Sequence, residues 1–462
     1  MTMKRFVGLL TCAIFAVSAV AAQTALAQGN NNNNSRPVAG VDIDAAGVLR
    51  IKTVTDPTGA QMRQHQAAAR AKLGAQVMRV SESRKISLNR LEAALAERLA
   101  KGQGASDEMR YLVGLTRVRH VFFYPESKDI VIEGPAEGFA PDLTGRVVGV
   151  ASGHSILELQ DLIVALRSYP PTGGGVKVIS VSIDPTAEGL ARMQQFLRTL
   201  GAVQPSDANR IALGLRESLG EQVVSIRGVS PQTHFAQVLV EADYRMKLIG
   251  IGLENPPVKI DSYVSRANPK DVARNAMERW YFTPNYECVK VSPDKLAMEL
   301  VGDGVKLIGE NERVTAEGGR QASGSTNRAS QAFVQQFTAK YVELSKKSPV
   351  YAQLRNLIDL SVAAAYIQEQ DFYGQSGWKA EVFGNEQAYA VETYQTPKHV
   401  DSAVNVIWKG STLMTPIGGG VNIQPKQAMS PGNLATDNGG ELAGLREKIG
   451  VEKVDSKQWW WD

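Results

Sequence analysis

Three residues in the middle of the chain have side chains that hydrolytic enzymes use together: Cys288, His234 and Asp243. A cysteine thiol becomes a nucleophile when a nearby histidine lowers its pKa, and a carboxylate can hold that histidine in place. Cys288 is the only cysteine beyond the N-terminal segment, which makes it the sharpest nucleophile candidate in the sequence. These three residues are therefore the candidate catalytic set.

The spacing of these residues argues against a triad. His234 and Asp243 fall in a helix predicted to start at Pro231, nine residues apart, which places them about 180° apart around the helix axis. Both side chains therefore cannot face Cys288 from that helix. Cysteine is also among the most buried residue types, and Cys288 lies among the alternating apolar residues of a predicted strand. The sequence thus favours a core role for Cys288 over a catalytic role.

Other motifs for catalysis, cofactors or metals are not complete. His154-Ser155 lacks the G-x-S-x-G elbow of a serine hydrolase. Gly250-Ile251-Gly252 is followed by Asn255, where a dinucleotide-binding loop needs its third glycine. The five histidines are scattered and show neither CxxC nor HExxH spacing. We therefore predict neither a metal nor a cofactor.

The helix predicted after Pro231 also carries two charged pairs at i,i+4, Glu241 with Arg245 and Asp243 with Lys247. Pairs at this spacing stabilise an isolated helix by about 0.2–0.5 kcal/mol each. The simplest interpretation is a solvated face of the helix.

The chain ends in Trp459, Trp460 and Trp461, which are half of its six tryptophans. Such rings need an apolar partner. They can dock into a groove of their own chain, add to the sheet edge of a partner, or lie at a membrane interface, where Trp is favoured. We take these three residues as candidate partner-binding residues, for an envelope protein or a surface polymer, and keep docking on the chain itself as the alternative.

The N-terminal residues have the pattern of a secretory signal peptide. Lys4 and Arg5 precede an apolar run from Phe6 to Ala22, and Ala25-Leu26-Ala27 supplies the small residues of a cleavage site. We expect cleavage after Ala27 and a working protein that is periplasmic, envelope-associated or secreted. An uncleaved anchor is the alternative, because the apolar run approaches the length of a membrane span.

Charge and cysteine content narrow the class of protein. Without Lys4 and Arg5, 49 of the 51 basic residues remain against 47 acidic ones, and no stretch clusters Lys and Arg. This balance excludes a nucleic-acid partner, which requires a dense basic face. After loss of Cys12, Cys288 has no partner for an internal disulfide, so packing has to stabilise the chain.

Local patterns predict a mixed α/β multidomain chain of the α+β class. Its N-terminal unit is a hairpin–helix–hairpin. Alternation around Asp44–Gly47 predicts the first hairpin, and residues 118–133 predict the second. Between them, Ser87 is predicted to cap a helix with leucines at spacings of three and four, which ends at Gly102.

The centre of the chain is predicted to be a mixed-sheet α/β region. Val176–Ile183 and Leu248–Leu253 have strand patterns. Asp184-Pro185, Ser230-Pro231 and Asn268-Pro269 each place a capping side chain before a proline, which predicts a helix start.

The C-terminal region is predicted to be an αα-hairpin followed by an irregular tail. Aromatic and apolar residues from Phe333 to Leu344 have helical spacing, and Ser348-Pro349 is predicted to start a second helix. The complete division is a signal peptide (1–27), an Asn-rich flexible tether (28–40), an N-terminal α/β unit (41–134), a central mixed α/β domain (150–310), a linker (311–328), a helical C-terminal region (329–430) and a flexible tail with a Trp-rich end (431–462).

The segment Gln237–Lys247 resembles a known family, the secreted planctomycete proteins that carry the domain of unknown function 1598. Four further stretches are also similar, so the resemblance covers most of the mature chain: Met109–Leu115, Tyr286–Val289, Ser348–Ala365 and Trp408–Gly420. The resemblance implies an exported protein of a planctomycete. It implies no reaction, cofactor or catalytic residue.

Two functional hypotheses follow from the sequence. The leading hypothesis is an exported, non-catalytic binding or structural protein of the cell envelope or secreted fraction, because no convergent set of histidine, carboxylate and nucleophile is found. The alternative is an exported hydrolase with a site in the central domain. A cavity lined by a carboxylate and a histidine with perturbed titration would favour the hydrolase.

Overall fold

The computed structural model describes residues 38–267, 276–285, 289–302, 304–314, 320–322, 327–405, 407–409, 412–414, 420–451 and 454–462. The predicted signal peptide, most of the predicted tether, the helix start at Asn268-Pro269 and the thiol of Cys288 lie outside the described residues.

The strands, in chain order, are β1 (Val38–Ile43), β2 (Val48–Val54), β3 (Ser81–Ser87), β4 (His120–Tyr124), β5 (Asp129–Ala136), β6 (Phe139–Pro141), β7 (Val147–Gly149), β8 (Ile179–Asp184), β9 (Gln222–Arg227), β10 (Ala276–Pro284), β11 (Val289–Val291), β12 (Ala297–Leu300), β13 (Val305–Val314), β14 (Arg320–Ala322), β15 (His399–Val400), β16 (Ile407–Lys409), β17 (Thr412–Met414), β18 (Gly420–Ile423), β19 (Leu434–Thr436) and β20 (Trp460–Trp461).

The α-helices are α1 (Ala60–Lys72), α2 (Ala75–Met78), α3 (Leu88–Ala100), α4 (Asp107–Arg110), α5 (Leu159–Ser168), α6 (Ala187–Thr199), α7 (Ala208–Leu219), α8 (His234–Gly250), α9 (Tyr263–Arg266), α10 (Arg328–Ala339), α11 (Tyr341–Lys347), α12 (Pro349–Glu369), α13 (Phe372–Ser376), α14 (Pro425–Ala428) and α15 (Glu441–Ile449).

Two large mixed sheets carry the fold, which confirms the predicted α+β class. The first sheet has the strand order β1-β2-β15-β9-β8-β18-β10-β13-β14, and the second has the order β19-β11-β12-β4-β5-β3-β20. Parallel pairs occur in both sheets, β10 with β18 in the first and β11 with β19 in the second. Each sheet therefore joins strands from chain segments that are far apart in sequence.

Both N-terminal hairpins and the helix between them form as the sequence predicts. β1 pairs with β2 around a turn in which the Asp44 carboxylate accepts the backbone N–H groups of Ala46 and Val48, both at 3.0 Å. Gly47 has a φ of 86°, a conformation that glycine adopts without steric cost. Ser87 caps α3, and β4 pairs with β5.

The long helix α12 connects the two hydrophobic cores. Its first half, from Val350 to Ile358, packs in the core beneath the first sheet, and its second half, from Leu360 to Ile367, packs in the core beneath the second sheet. The predicted Ser348-Pro349 start is confirmed, since α12 begins at Pro349. Within the described part of the chain, no helix combines the length and apolar character that crossing a membrane requires.

Helix α8 differs from its prediction at both ends. It begins at His234 instead of Pro231, because the Thr233 hydroxyl is the cap and accepts the N–H of Ala236 at 3.2 Å. The predicted strand Leu248–Leu253 is wrong, since α8 continues to Gly250 and buries Ile249. In the same way, Thr186 caps α6 in place of Asp184.

The interpretation of the α8 charges as a solvated face is also wrong. Glu241, Asp243, Arg245 and Lys247 are all buried, with at most 8% of each residue exposed. The i,i+4 spacing holds, with Lys247 Nζ at 3.1 Å from Asp243 Oδ2, but the pairs face the interior. A spacing rule alone does not distinguish a surface pair from a buried pair.

The Trp-rich end of the chain docks on its own second sheet. β20 pairs antiparallel with β3, with Trp461 opposite Lys85, and the Trp461 side chain is only 7% exposed. The Asp462 carboxylate accepts from the buried Arg84 Nε at 2.7 Å. The segment that the sequence interprets as a flexible tail thus contains β19, α15 and β20, and this placement is the alternative of docking on the chain itself. A role of these residues in partner binding stays a prediction.

We expect Trp461→Ala to lower the free energy of unfolding by about 3 kcal/mol, because truncation of a buried tryptophan removes its core contacts. Urea unfolding followed by circular dichroism measures this change. Lys457→Ala, at an exposed position in the same segment, is the control and should change stability by less than about 0.5 kcal/mol. A neutral Trp461→Ala would show that the docked end contributes nothing to the fold.

Candidate functional site

A cavity of about 320 Å³ lies between β1, the loop before β7, the N-terminal ends of α5 and α8, and the segment 389–394. Cavities of this size hold small-molecule ligands in many proteins. Its wall contains Glu158, His234 and Gln353, together with three tyrosines. The cavity is therefore the candidate functional site.

His234 is held between two carboxylates from α5. Its Nδ1–H donates to Asp161 Oδ2 at 2.8 Å, and its Nε2 lies 3.8 Å from Glu158 Oε1. Glu158 is the N-cap residue of α5 and Asp161 lies in the first turn, so the spacing of three places both carboxylates on one side of the helix. The positive end of the helix dipole favours negative charge at this position.

These carboxylates change the titration of His234. Burial alone lowers the pKa of His234, but the negative charges of Asp161 and Glu158 outweigh burial and raise this pKa to about 9. Burial raises the pKa of Glu158, an effect that His234 opposes and Asp161 reinforces. At neutral pH the site therefore holds an imidazolium ion beside a carboxyl group that accepts a proton more readily than an ordinary glutamate.

Neutral polar groups surround the His234 imidazole. Gln353 from α12 places its Nε2 at 3.4 Å from His234 Nε2. The ring of Tyr394 lies with its centroid 5.7 Å from that of the imidazole. Gln160 donates to both the Tyr394 hydroxyl, at 3.0 Å, and Glu158 Oε2, at 2.6 Å. The imidazole is thus fixed in position from several sides.

Two further charged pairs complete the cavity wall. Arg110 pairs with Glu392, and Arg146 pairs with Glu241 of α8. Together with the His234 cluster, these pairs neutralise each cationic side chain in the described lining of the cavity.

Two residues of the proposed catalytic set lie apart in the structure, since His234 lines the cavity and Asp243 does not. Asp243 lies in the core, where Lys247 is its partner, and Lys247 Nζ donates to the carbonyl of Ile183 at 2.9 Å. Burial raises the pKa of Asp243 to about 6, although the charge of Lys247 opposes this rise. Cys288 is outside the described residues, and Trp460 and Trp461 form β20 of the second sheet. Of the predicted site residues that the structure describes, His234 is the one that lines the cavity.

Sequence reasoning missed the partners of His234. Glu158 and Asp161 precede and open an apolar helix at a spacing of three, a signal that points to two carboxylates on one face. Their pairing with His234, 73 residues after Asp161, depends on the packing of α5 against α8. That packing is not visible in local sequence patterns.

The fold and the cavity define an α+β protein with a polar, charge-paired pocket. Residues 181–263 match the family model described as Protein of unknown function (DUF1598). The match includes Gln237–Lys247, the first of the five stretches that resemble this family in the sequence. The other four similar stretches lie outside the match. No curated protein and no solved structure matches this chain. His234 lies within the matched segment, whereas Glu158, Asp161 and Gln353 do not.

We expect Asp243→Leu and Lys247→Met each to lower the free energy of unfolding by about 3–5 kcal/mol, because each leaves an uncompensated buried charge. The double variant should lose less than the sum of the two, because it leaves neither charge. A double-mutant cycle from urea unfolding measures the coupling. The exposed pair of Lys340 with Glu343 is the matched control, and its coupling should stay below about 1 kcal/mol. Additive losses at positions 243 and 247 would show that the buried ion pair is not coupled.

Proposed function

We propose that this protein is an exported binding protein whose cavity holds a small, neutral, hydroxyl-rich ligand such as a mono- or disaccharide. The observation that carries the proposal is the internal pairing of the charges in the cavity wall. Arg110, Arg146 and His234 each already have a carboxylate partner, so an anionic ligand would have to displace a carboxylate from an existing ion pair.

The other side chains in the cavity wall can contact the hydroxyl groups and the apolar C–H faces of a ligand. Gln160, Gln237 and Thr144 offer amide and hydroxyl oxygens that can accept hydrogen bonds, since their donor groups bind within the protein, and the rings of Tyr389 and Tyr394 offer flat aromatic surfaces. Aromatic surfaces with a few fixed polar groups are typical of ligand sites, in which the rings supply contact area and the polar groups supply orientation. A sugar ring presents both kinds of surface.

The place of action in this proposal follows from the sequence. The basic, apolar and small-residue segments of residues 1–27 favour export, and the Asn-rich segment after them favours a tether. The resemblance to secreted planctomycete proteins agrees with export. A surface polymer of the envelope that ends in a sugar unit is the partner that this proposal favours.

Hydrolysis of such a ligand is the second candidate function. It is favoured by Glu158, a carboxyl group of raised pKa that lies 3.8 Å from the imidazole of His234. A carboxyl group of raised pKa is better suited than an ordinary glutamate to protonate a leaving-group oxygen. Cys288 and Asp243 have no part in this version of the hydrolase hypothesis.

Binding is tested by calorimetry with the tag-free mature chain and a panel of neutral mono- and disaccharides. For any saccharide that binds, we expect Tyr394→Phe to weaken affinity by about tenfold, because loss of the hydroxyl releases Gln160 and Glu392 from their hydrogen bonds. Tyr124→Phe is the matched control, since it removes a hydroxyl that donates to the carbonyl of Arg446 outside the cavity.

Two outcomes would contradict the binding proposal: no affinity for any neutral saccharide, or affinity that Tyr394→Phe leaves unchanged. Chromatography of the incubated saccharide separates the two candidate functions. Formation of a product by the unchanged chain but not by the Glu158→Gln variant would establish the hydrolase. An intact saccharide would support the binding protein.

A further inference from the structure

Three groups that can bind a metal ion converge at the back of the cavity. Ligand atoms of Glu158, Asp161 and His234 all lie within 4.8 Å of one another. Imidazole nitrogen and carboxylate oxygen are both common ligands of divalent transition metals. Clusters of this kind also occur without a bound ion, so the groups around the cluster must supply further evidence for a metal site.

The hydrogen bond of His234 sets which nitrogen is available. Asp161 accepts from Nδ1–H at 2.8 Å, so the other nitrogen, Nε2, is the one that faces Glu158. Metal-binding histidines usually have this arrangement, in which an outer carboxylate accepts from one ring nitrogen and the metal binds the other.

Gln353 supplies an independent observation. Its residue is only 4% exposed, and its Oε1 has no hydrogen-bond partner among the described residues. An amide oxygen and nitrogen exchange places on rotation by 180°, which would bring Oε1 to the nitrogen's present position, 3.4 Å from His234 Nε2. A buried amide oxygen without a donor is costly. In the rotated orientation it would face the Nε2–H of a protonated His234, or a cation bound to Nε2 when the imidazole is neutral.

The distances are close to those of a zinc site. Two ligands about 2.0–2.1 Å from a tetrahedral Zn²⁺ lie about 3.3 Å apart. The separation of Gln353 from His234 is already 3.4 Å, and that of Glu158 from His234 is 3.8 Å. Two of the three ligand pairs are therefore already near the spacing of a zinc site.

We propose that His234 Nε2, the Glu158 carboxylate and the Gln353 amide oxygen bind a divalent transition metal ion, with Zn²⁺ the best fit, while Asp161 orients the imidazole. Three protein ligands leave the fourth position open toward the cavity. The inference uses the cavity of the proposed function but not its ligand class.

Calorimetric titration of Zn²⁺ alone into the chelator-treated, tag-free mature chain tests the proposal. We expect one ion per chain, a loss of at least a hundredfold in affinity for His234→Ala and for Glu158→Gln, and a loss of about 10–100-fold for the positioning variant Asp161→Asn. His65→Ala is the matched control at a half-buried histidine outside the cavity, whose Nδ1 lies 2.9 Å from the carbonyl oxygen of Pro141, and it should bind zinc like the unchanged chain. Circular dichroism of each variant establishes that it is folded.

Two results would overturn the metal site: no zinc binding by the folded chain, or binding that His234→Ala does not weaken. Either would leave the cluster as an ion-pair arrangement only. Because no saccharide is present in this titration, its failure leaves the binding proposal standing. Failure of the saccharide panel likewise leaves the metal site standing.

Discussion

Burial of helix α8 is the constraint on which the rest of the structure depends. Fourteen of its residues are buried, and these include Glu241, Asp243, Arg245 and Lys247. An unpaired charge in a protein interior costs several kcal/mol, so each of these side chains requires a partner of opposite charge. These oppositely charged partners determine which elements pack against α8. Arg146 comes from the loop before β7, and Glu254, which accepts from Arg245 at 2.6 Å, comes from the turn after α8.

The same constraint builds the cavity. The pair of Arg146 with Glu241 stabilises the helix and at the same time forms part of the cavity wall. The N-terminal end of α8 places His234 against α5, where Asp161 and Glu158 flank its imidazole. Helix α12 then brings Gln353 to the imidazole from the core side. The site is therefore assembled from three helices that the hydrophobic cores already hold in place, which keeps the imidazole in one orientation.

Local signals in the sequence predict many of the helices and strands, but they do not predict which side of an element is buried. The leucine stripe and Ser87 cap of α3 and both N-terminal hairpins follow from short-range patterns, and the structure has them. The sequence misplaces the charges of α8 at the surface, because i,i+4 pairs have the same spacing in the core and at the surface. It predicts only His234 of the site, since His234 meets Asp161 through long-range packing. The order of strands in both sheets also depends on such packing, because partners such as β3 and β20 lie at opposite ends of the chain.

Both proposals take the His234 cluster to serve binding and not folding. The most direct measurement is the free energy of unfolding of a triple variant, Glu158→Gln with Asp161→Asn and His234→Gln, which removes all the charges of the cluster together. A functional cluster is not optimised for stability, so this account predicts a value within about 1 kcal/mol of the unchanged chain. A loss of more than about 3 kcal/mol would contradict the account and identify the cluster as a structural element of the α5–α8 interface.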